Sequence, residues 1–195
     1  MTKLEEMLSD LKNTVSSDRY EHSLRVMEMA ERLAIHWGYK NIEKCIETAL
    51  MHDAGKLKSI ETVIQECKKR KIKLNEEDLK CPQVIHAYLS ENIVREKYNF
   101  DEEQCLAVRS HTIGSENMGI LEKIVFTADM IEDKRTGIIY DEIRKTAFEN
   151  LDMAVIKTFN ATIEYNQQCG RYVHKQAIRN RDKMEESVNG IKRES

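Results

Sequence analysis

Proline is nearly absent from this chain: Pro82 is the only one in 195 residues, and glycine occurs seven times. In a helix interior proline costs about 3 kcal/mol and glycine about 1 kcal/mol relative to alanine, so their scarcity favours long helices and an all-α fold. No segment alternates with period two for long enough to build a sheet, and no apolar run approaches the ~20 residues that span a bilayer. The five cysteines, Cys45, Cys67, Cys81, Cys105 and Cys169, contain no CxxC pair, which removes a zinc ribbon or a thioredoxin-like site from consideration. A net charge of −3 lacks the basic excess of a protein that coats nucleic acid, although a local basic pocket for phosphates remains compatible with it. Met1 to Thr14 is amphipathic and lacks the apolar core of a signal peptide. The expectation is a cytoplasmic chain with reduced, mostly packing thiols and with neither membrane nor nucleic acid as partner.

What is present is a globular composition, 41% apolar and 33% charged, long enough to bury a core without disulfides. The reading is one domain: an N-terminal helix or arm over 1–17, a helical bundle over 18–188, and a frayed tail over 189–195. Asp18 and Glu21 are expected to form a capping box for the first long helix, which Gly38 would end. Asn41 caps the next, which runs into His52-Asp53 and breaks near Gly55. Further helices are expected over Ile60 to Lys71, Pro82 to Lys97, Asp101 to His111, Asn117 to Ile131, Asn150 to Gln168 and His174 to Val188.

Five places could carry chemistry: His22, the pair His52-Asp53, His86, His111 and Asp129. Each lies on, or at the end of, a different expected helix. Imidazole and carboxylate are the usual ligands of catalytic metals, and a bundle can bring one ligand from each helix to one interior point. Asp129 lies in the apolar run Ile124 to Ile131, where a carboxylate is costly unless paired or metal-bound; an outward, solvated Asp129 fits the flanking residues as well. His52-Asp53 precedes Ala54-Gly55-Lys56, so glycine would let the chain turn closely and lysine would bring a cation to the same mouth. The same residues also suit an ordinary helix C-terminus. His36, beside Trp37, is read as structural, and His174 is not assigned to the metal.

The order of these residues resembles the HD-domain metalloprotein pattern. The motifs Arg19-Tyr20-Glu21-His22-Ser23-Leu24-Arg25-Val26, His52-Asp53-Ala54-Gly55-Lys56, His111-Thr112 and Phe126 to Arg135 are similar to those of one bacterial subfamily. So are Arg171-Tyr172-Val173-His174 and Ile178-Arg179-Asn180. It is the YqeK-like, HD-domain symmetrical diadenosine tetraphosphate hydrolases. The resemblance runs from about Arg19 to Asn180. The chain departs from the pattern at Ala87 to Glu91, where small residues are usual, at Asp133, where proline is usual, and at Ala54-Gly55.

The resemblance implies an HD-domain helical bundle with a C-terminal helical extension. It also implies a two-ion site, with iron in both positions, although manganese, cobalt or zinc suit the same ligands. His22, His52, Asp53 and Asp129 would hold one ion, and a shared Asp53 with His86 and His111 the other. The catalytic set would be Asp53, Lys56, His86 and His111. Lys56, Thr112, Arg135 and Tyr172 would contact substrate, and Arg19 would either face the phosphates or buttress its helix. The implied reaction splits diadenosine tetraphosphate into two ADP. The partner would therefore be a dinucleoside polyphosphate or an ADP-like nucleotide; a homodimer is compatible with the sequence but not demanded by it. Alternatives are an HD-domain nucleotidase or deoxynucleoside triphosphate hydrolase, a metal-containing nucleotide-binding regulator with little turnover, and a plain helical interaction module.

Overall fold

The structure, a computed structural model, describes residues 2–194, with side chains described through residue 190. Among the described residues there is no strand, and eleven α-helices account for most of the chain. They are α1 (Lys3–Thr14), α2 (Ser17–His36), α3 (Ile42–Met51), α4 (Ile60–Lys69), α5 (Glu76–Lys80), α6 (Ile85–Tyr98), α7 (Glu102–Ser110), α8 (Ile120–Ile131), α9 (Ile138–Glu149), α10 (Leu151–Gln168) and α11 (Lys175–Glu194). A 3-10 turn, Pro82–Val84, precedes α6. No described helix is long and apolar enough to cross a membrane.

Helix starts follow short polar side chains. Thr2 and Glu5 form a capping box on α1, Asn75 and Asp78 on α5, and Asp101 and Gln104 on α7. Asn41, Ser59 and Asn150 cap α3, α4 and α10. The expected capping box at Asp18 and Glu21 is replaced by Ser16, whose side chain accepts from the Arg19 amide. The helix therefore begins earlier, and Asp18 sits in its first turn, where a carboxylate favours the helix dipole. Pro82 opens the 3-10 turn rather than α6 itself.

The main core packs α2, α3 and α7 to α10. Val26, Leu33, Leu121, Ile124 and Val125 are fully buried there. Trp37 donates its indole N–H to the Ala147 carbonyl at 2.9 Å and ties the end of α2 to α9. A second cluster seats α1 on the bundle: Met7 and Leu11 are buried with Leu50, Val94 and Val108. Four cysteines are buried, Cys169 is exposed, and all five are free thiols. His36 sits edge-on to Trp37 and Phe148.

Helix α9 was not expected from the sequence. Only Ile143 and Ala147 of it are buried, a stripe too thin to read as a periodic face. It packs mainly on α10, and a polar tie adds to this: the Arg144 guanidinium donates to the carbonyls of Ile131 at 3.0 Å and Arg135 at 3.0 Å. That contact fixes the turn after α8, where Arg135 lies. Helix α11 carries the C-terminal extension and packs on α10. Its backbone runs to Glu194. Of the tail expected over 189–195, Ser195 lies outside the described residues.

Candidate metal centre and its cleft

Five elements deliver six side chains to one point. His22 comes from the second turn of α2, His52 from the C-cap of α3 with Asp53 next to it, His86 from the first turn of α6, His111 from the C-cap of α7, and Asp129 from α8. His52, Asp53 and His111 sit at helix ends, where the chain leaves the hydrogen-bond ladder and a side chain can turn inward. His22, His52, Asp53, His86 and His111 are buried. Asp129 is half-buried and opens onto a cleft, so of its two open readings the inward one holds.

Asp53 stands in the middle with its two carboxylate oxygens facing different neighbours. Oδ2 lies 3.4 Å from His52 Nε2 and 4.0 Å from His22 Nε2. Oδ1 lies 2.9 Å from His86 Nε2 and 3.5 Å from His111 Nε2. Asp129 Oδ1 is 2.9 Å from His22 Nε2 and 3.9 Å from His52 Nε2. Ligand-type atoms of His22, His52 and Asp53 fall within 4.8 Å of one another, as do those of Asp53, His86 and His111.

Three imidazoles are oriented from behind. His52 Nδ1 is 2.6 Å from the Ala49 carbonyl and His111 Nδ1 is 2.7 Å from the Val108 carbonyl. A carbonyl only accepts, so Nδ1 carries the proton and Nε2 presents its lone pair to the centre. His22 Nδ1 faces Glu132 Oε1 at 3.4 Å. Glu132 is buried and also accepts from Arg25 Nε at 2.6 Å. Glu132 was not among the residues singled out from the sequence. Its signal is visible in retrospect: Glu132 follows Asp129 by three residues and Arg25 follows His22 by three, which puts each pair on one helix face.

Electrostatics favour ligand-ready forms. Burial pushes His86 down to about 4, against the neighbouring Asp53 carboxylate, which favours its proton. Burial pushes the Asp53 carboxyl up, but Lys56 and the imidazoles of His52, His86 and His111 override it and hold it well below the usual carboxylate range. Asp129 is likewise raised by burial and lowered more by His22 and His52. His22 Nε2, His52 Nε2, Asp53 Oδ1 and Asp129 Oδ1 are all buried without a hydrogen-bond partner. Buried polar atoms without partners are rare and need an explanation. Four converging nitrogen and oxygen donors of this kind fit a divalent cation.

Lys56, His86, His111 and Asp129 line a cleft of about 650 Å³. Thr112, Arg135 and Tyr172 line it as well. Lys56 Nζ is 3.6 Å from Asp53 Oδ2. Arg135 Nε is 3.8 Å from Glu132 Oε1, and its side chain is 42% exposed, which leaves the fork accessible from the cleft. Thr112 Oγ1 is buried. The Tyr172 hydroxyl lies 3.4 Å from Glu77 Oε1. Arg19 is not among the lining residues; it donates from Nη1 to Asp53 Oδ2 at 2.6 Å.

The departures from the family pattern are taken up in packing. The Tyr88 hydroxyl donates to Asp78 at 2.5 Å, and Ser90 Oγ accepts from the Gly55 amide at 2.8 Å. Asp133 pairs with Arg32 at 3.3 Å on the surface. Gly55 does not serve a special turn. A Cβ there would lie 2.6 Å from both the His86 carbonyl oxygen and the Ser90 nitrogen, so the glycine lets α6 approach the His52-Asp53 turn.

Comparison with known proteins places these features in a family context. The HD domain pattern matches residues 19–133. The symmetrical bis(5'-nucleosyl)-tetraphosphatase of Bacillus subtilis is 32% identical over 162 residues, covering 83% of this chain and 86% of the relative. Its namesake from Halalkalibacterium halodurans is 33% identical over 161 residues, 80% of this chain and 82% of the relative. A crystal structure from Clostridium acetobutylicum, described as a predicted HD superfamily hydrolase involved in NAD metabolism, superposes with a TM-score of 0.89 at 31% identity. It covers 96% of this chain and 99% of that one.

Proposed function

This chain belongs to the HD domain family, and from that premise we propose that it is a metal-dependent phosphohydrolase that splits diadenosine tetraphosphate symmetrically into two ADP. The observation that carries the reading is the division of labour at Asp53. One oxygen faces His52 and His22, the other faces His86 and His111, and Lys56 lines the cleft beside them. In this reading His22, His52, Asp53 and Asp129 hold one ion, and Asp53, His86 and His111 the other. Two such ions, when bound, supply a hydroxide-like nucleophile at neutral pH and neutralise phosphoryl charge. Iron is the identity the family resemblance favours. The protein is placed in the cytoplasm, in keeping with its five free thiols.

The residues divide the remaining work. Arg19 fixes the Oδ2 side of the Asp53 carboxylate by a charge-assisted hydrogen bond. Glu132 and the carbonyls of Ala49 and Val108 hold three imidazoles in the tautomer that faces inward. Lys56 offers a point charge near the centre and Arg135 a planar fork further out, the two forms of cation suited to a polyphosphate chain.

The test is anaerobic iron loading followed by chromatography of the products. ADP is expected as the only nucleotide product. Equal ATP and AMP would mean that the chain is gripped off-centre and would overturn symmetrical cleavage. Bound metal with no turnover would move the protein to the regulator class. A second expectation concerns Arg135. Because it lies off the metal set, Arg135→Ala should raise KM for diadenosine tetraphosphate about tenfold, the loss of one half-exposed charge-assisted contact, with metal content unchanged. A variant that loses metal at normal KM would contradict the assignment.

A further inference from the structure

Two buried polar ties leave the beginning of α11, and each ends on the support of one histidine of the His86–His111 pair. The first starts at Asn180, which is 1% exposed. Gln176 Nε2 donates to Asn180 Oδ1 at 2.8 Å, which turns the amide so that Nδ2 donates to the Ile113 carbonyl at 2.9 Å. Ile113 lies in the turn that leaves α7 directly after His111 and Thr112. The second tie starts at His174, which is 6% exposed. Its Nδ1 accepts from the Gln176 amide at 3.2 Å, so Nε2 carries the proton and faces Asp78 Oδ1 at 3.3 Å. The same Asp78 oxygen accepts from the Tyr88 hydroxyl at 2.5 Å. Tyr88 is on α6, two residues after His86.

The pair needs such support. His86 Nε2 and His111 Nε2 lie 3.0 Å apart, close to the buried Asp53 carboxylate. In the metal-free chain one proton shared between the two nitrogens can hold this spacing; once both turn lone pairs to an ion that bond is lost, and the spacing rests on how the ends of α6 and α7 that carry them are held. The hydrogen bonds of Asn180, His174 and Asp78 run to Ile113, Tyr88 and one another's neighbours rather than to the six converging side chains, so they act through α6 and the turn after α7.

We propose that the first turns of α11 are a positioning device for the His86–His111 half of the centre, with Asn180 setting the α7 side and His174, through Asp78 and Tyr88, setting the α6 side. The inference rests on the two-ion reading above. It makes the C-terminal extension part of the site without giving it a ligand. Supporting residues behind metal ligands are worth about 10–100-fold in affinity or activity.

The test is calorimetric titration of Mn²⁺ alone into the metal-free full-length chain. Two binding steps are expected for the wild type. Asn180→Asp keeps the size of the side chain but removes the donor to Ile113. It should weaken one step about tenfold, leave the other within about twofold, and lower kcat with little change in KM. His174→Phe should weaken the same step, and His174→Gln, which keeps a donor for Asp78, should restore it. Should Asn180→Asp fail to fold, the two His174 variants carry the test. Two steps unchanged in all variants would overturn the positioning role and leave the two-ion reading standing. Both steps weakening together with a lowered Tm would reduce α11 to general packing and overturn it as well. A single step in the wild type would remove the two-ion reading, and this inference with it.

Discussion

Replacing Asp53 with alanine is expected to abolish hydrolysis of diadenosine tetraphosphate in a metal-replete preparation while the far-UV helical signal stays close to that of the wild type. Residues that merely support metal ligands are worth about 10–100-fold, so on the proposed two-ion reading, in which both ions share this carboxylate, its loss should cost at least about 10³-fold in kcat/KM. The helical signal should survive because Asp53 lies just beyond α3, and its side-chain partners are groups of the site rather than backbone. Some stability should still be lost in the metal-free protein. The folded-state pKa of Asp53 is depressed, so the carboxylate contributes stability that is present above its unfolded pKa and lost as pH falls through the folded value. At neutral pH the variant therefore melts lower, and the difference shrinks in acid. Asp53→Asn keeps the shape but not the charge and should be equally inactive. Normal turnover by either variant, with metal content verified, would remove Asp53 from the centre of the mechanism.

How much of this was legible in the sequence depends on the range of the interaction. Helices with a broad apolar face were legible from spacing alone, as in α2, with Ala30, Leu33 and Ala34, and α8, with Leu121, Ile124 and Ala128. Helix α9 was not, because Ile138 is 80% exposed, its buried stripe is only Ile143 and Ala147, and Arg144 ties it to backbone carbonyls, a contact with no periodic signature. The six converging side chains were legible because histidine and aspartate at helix ends stand out, and because their order resembles a family. The groups behind them were hidden by distance in the chain. His22 and Glu132 are 110 residues apart, and His174 and Asp78 are 96 apart. No local pattern distinguishes such a glutamate or aspartate from the many on the surface of a chain that is 33% charged.

Gly55 shows the same limit at short range, and it carries the second large effect. Its sequence context suggested a turn; its environment demands the absence of a side chain. A Cβ at position 55 would meet the His86 carbonyl oxygen and the Ser90 nitrogen at 2.6 Å and Leu89 Cβ at 2.8 Å. The first two are backbone atoms of α6, so no rotamer change relieves the contact; the helix itself must move away. Gly55→Ala should therefore destabilise the fold by about 1–3 kcal/mol, the usual cost of overpacking, which is a fall in Tm of roughly 2–12 °C for a chain of this length. The same displacement carries His86 outward, away from Asp53 Oδ1, from which its Nε2 now lies 2.9 Å, and from His111. A shift of about 1 Å in a positioned group can cost about 10²-fold in rate, and activity should fall by that order even well below the new Tm. Ser90→Ala separates the two effects. It removes only the acceptor for the Gly55 amide and leaves α6 free to stay in place, so it should lower Tm modestly and keep most of the activity. A Gly55→Ala protein with wild-type Tm, two bound ions and full turnover would show that α6 and the His52-Asp53 turn are not in the contact described here. It would also remove the reason for a glycine at this position.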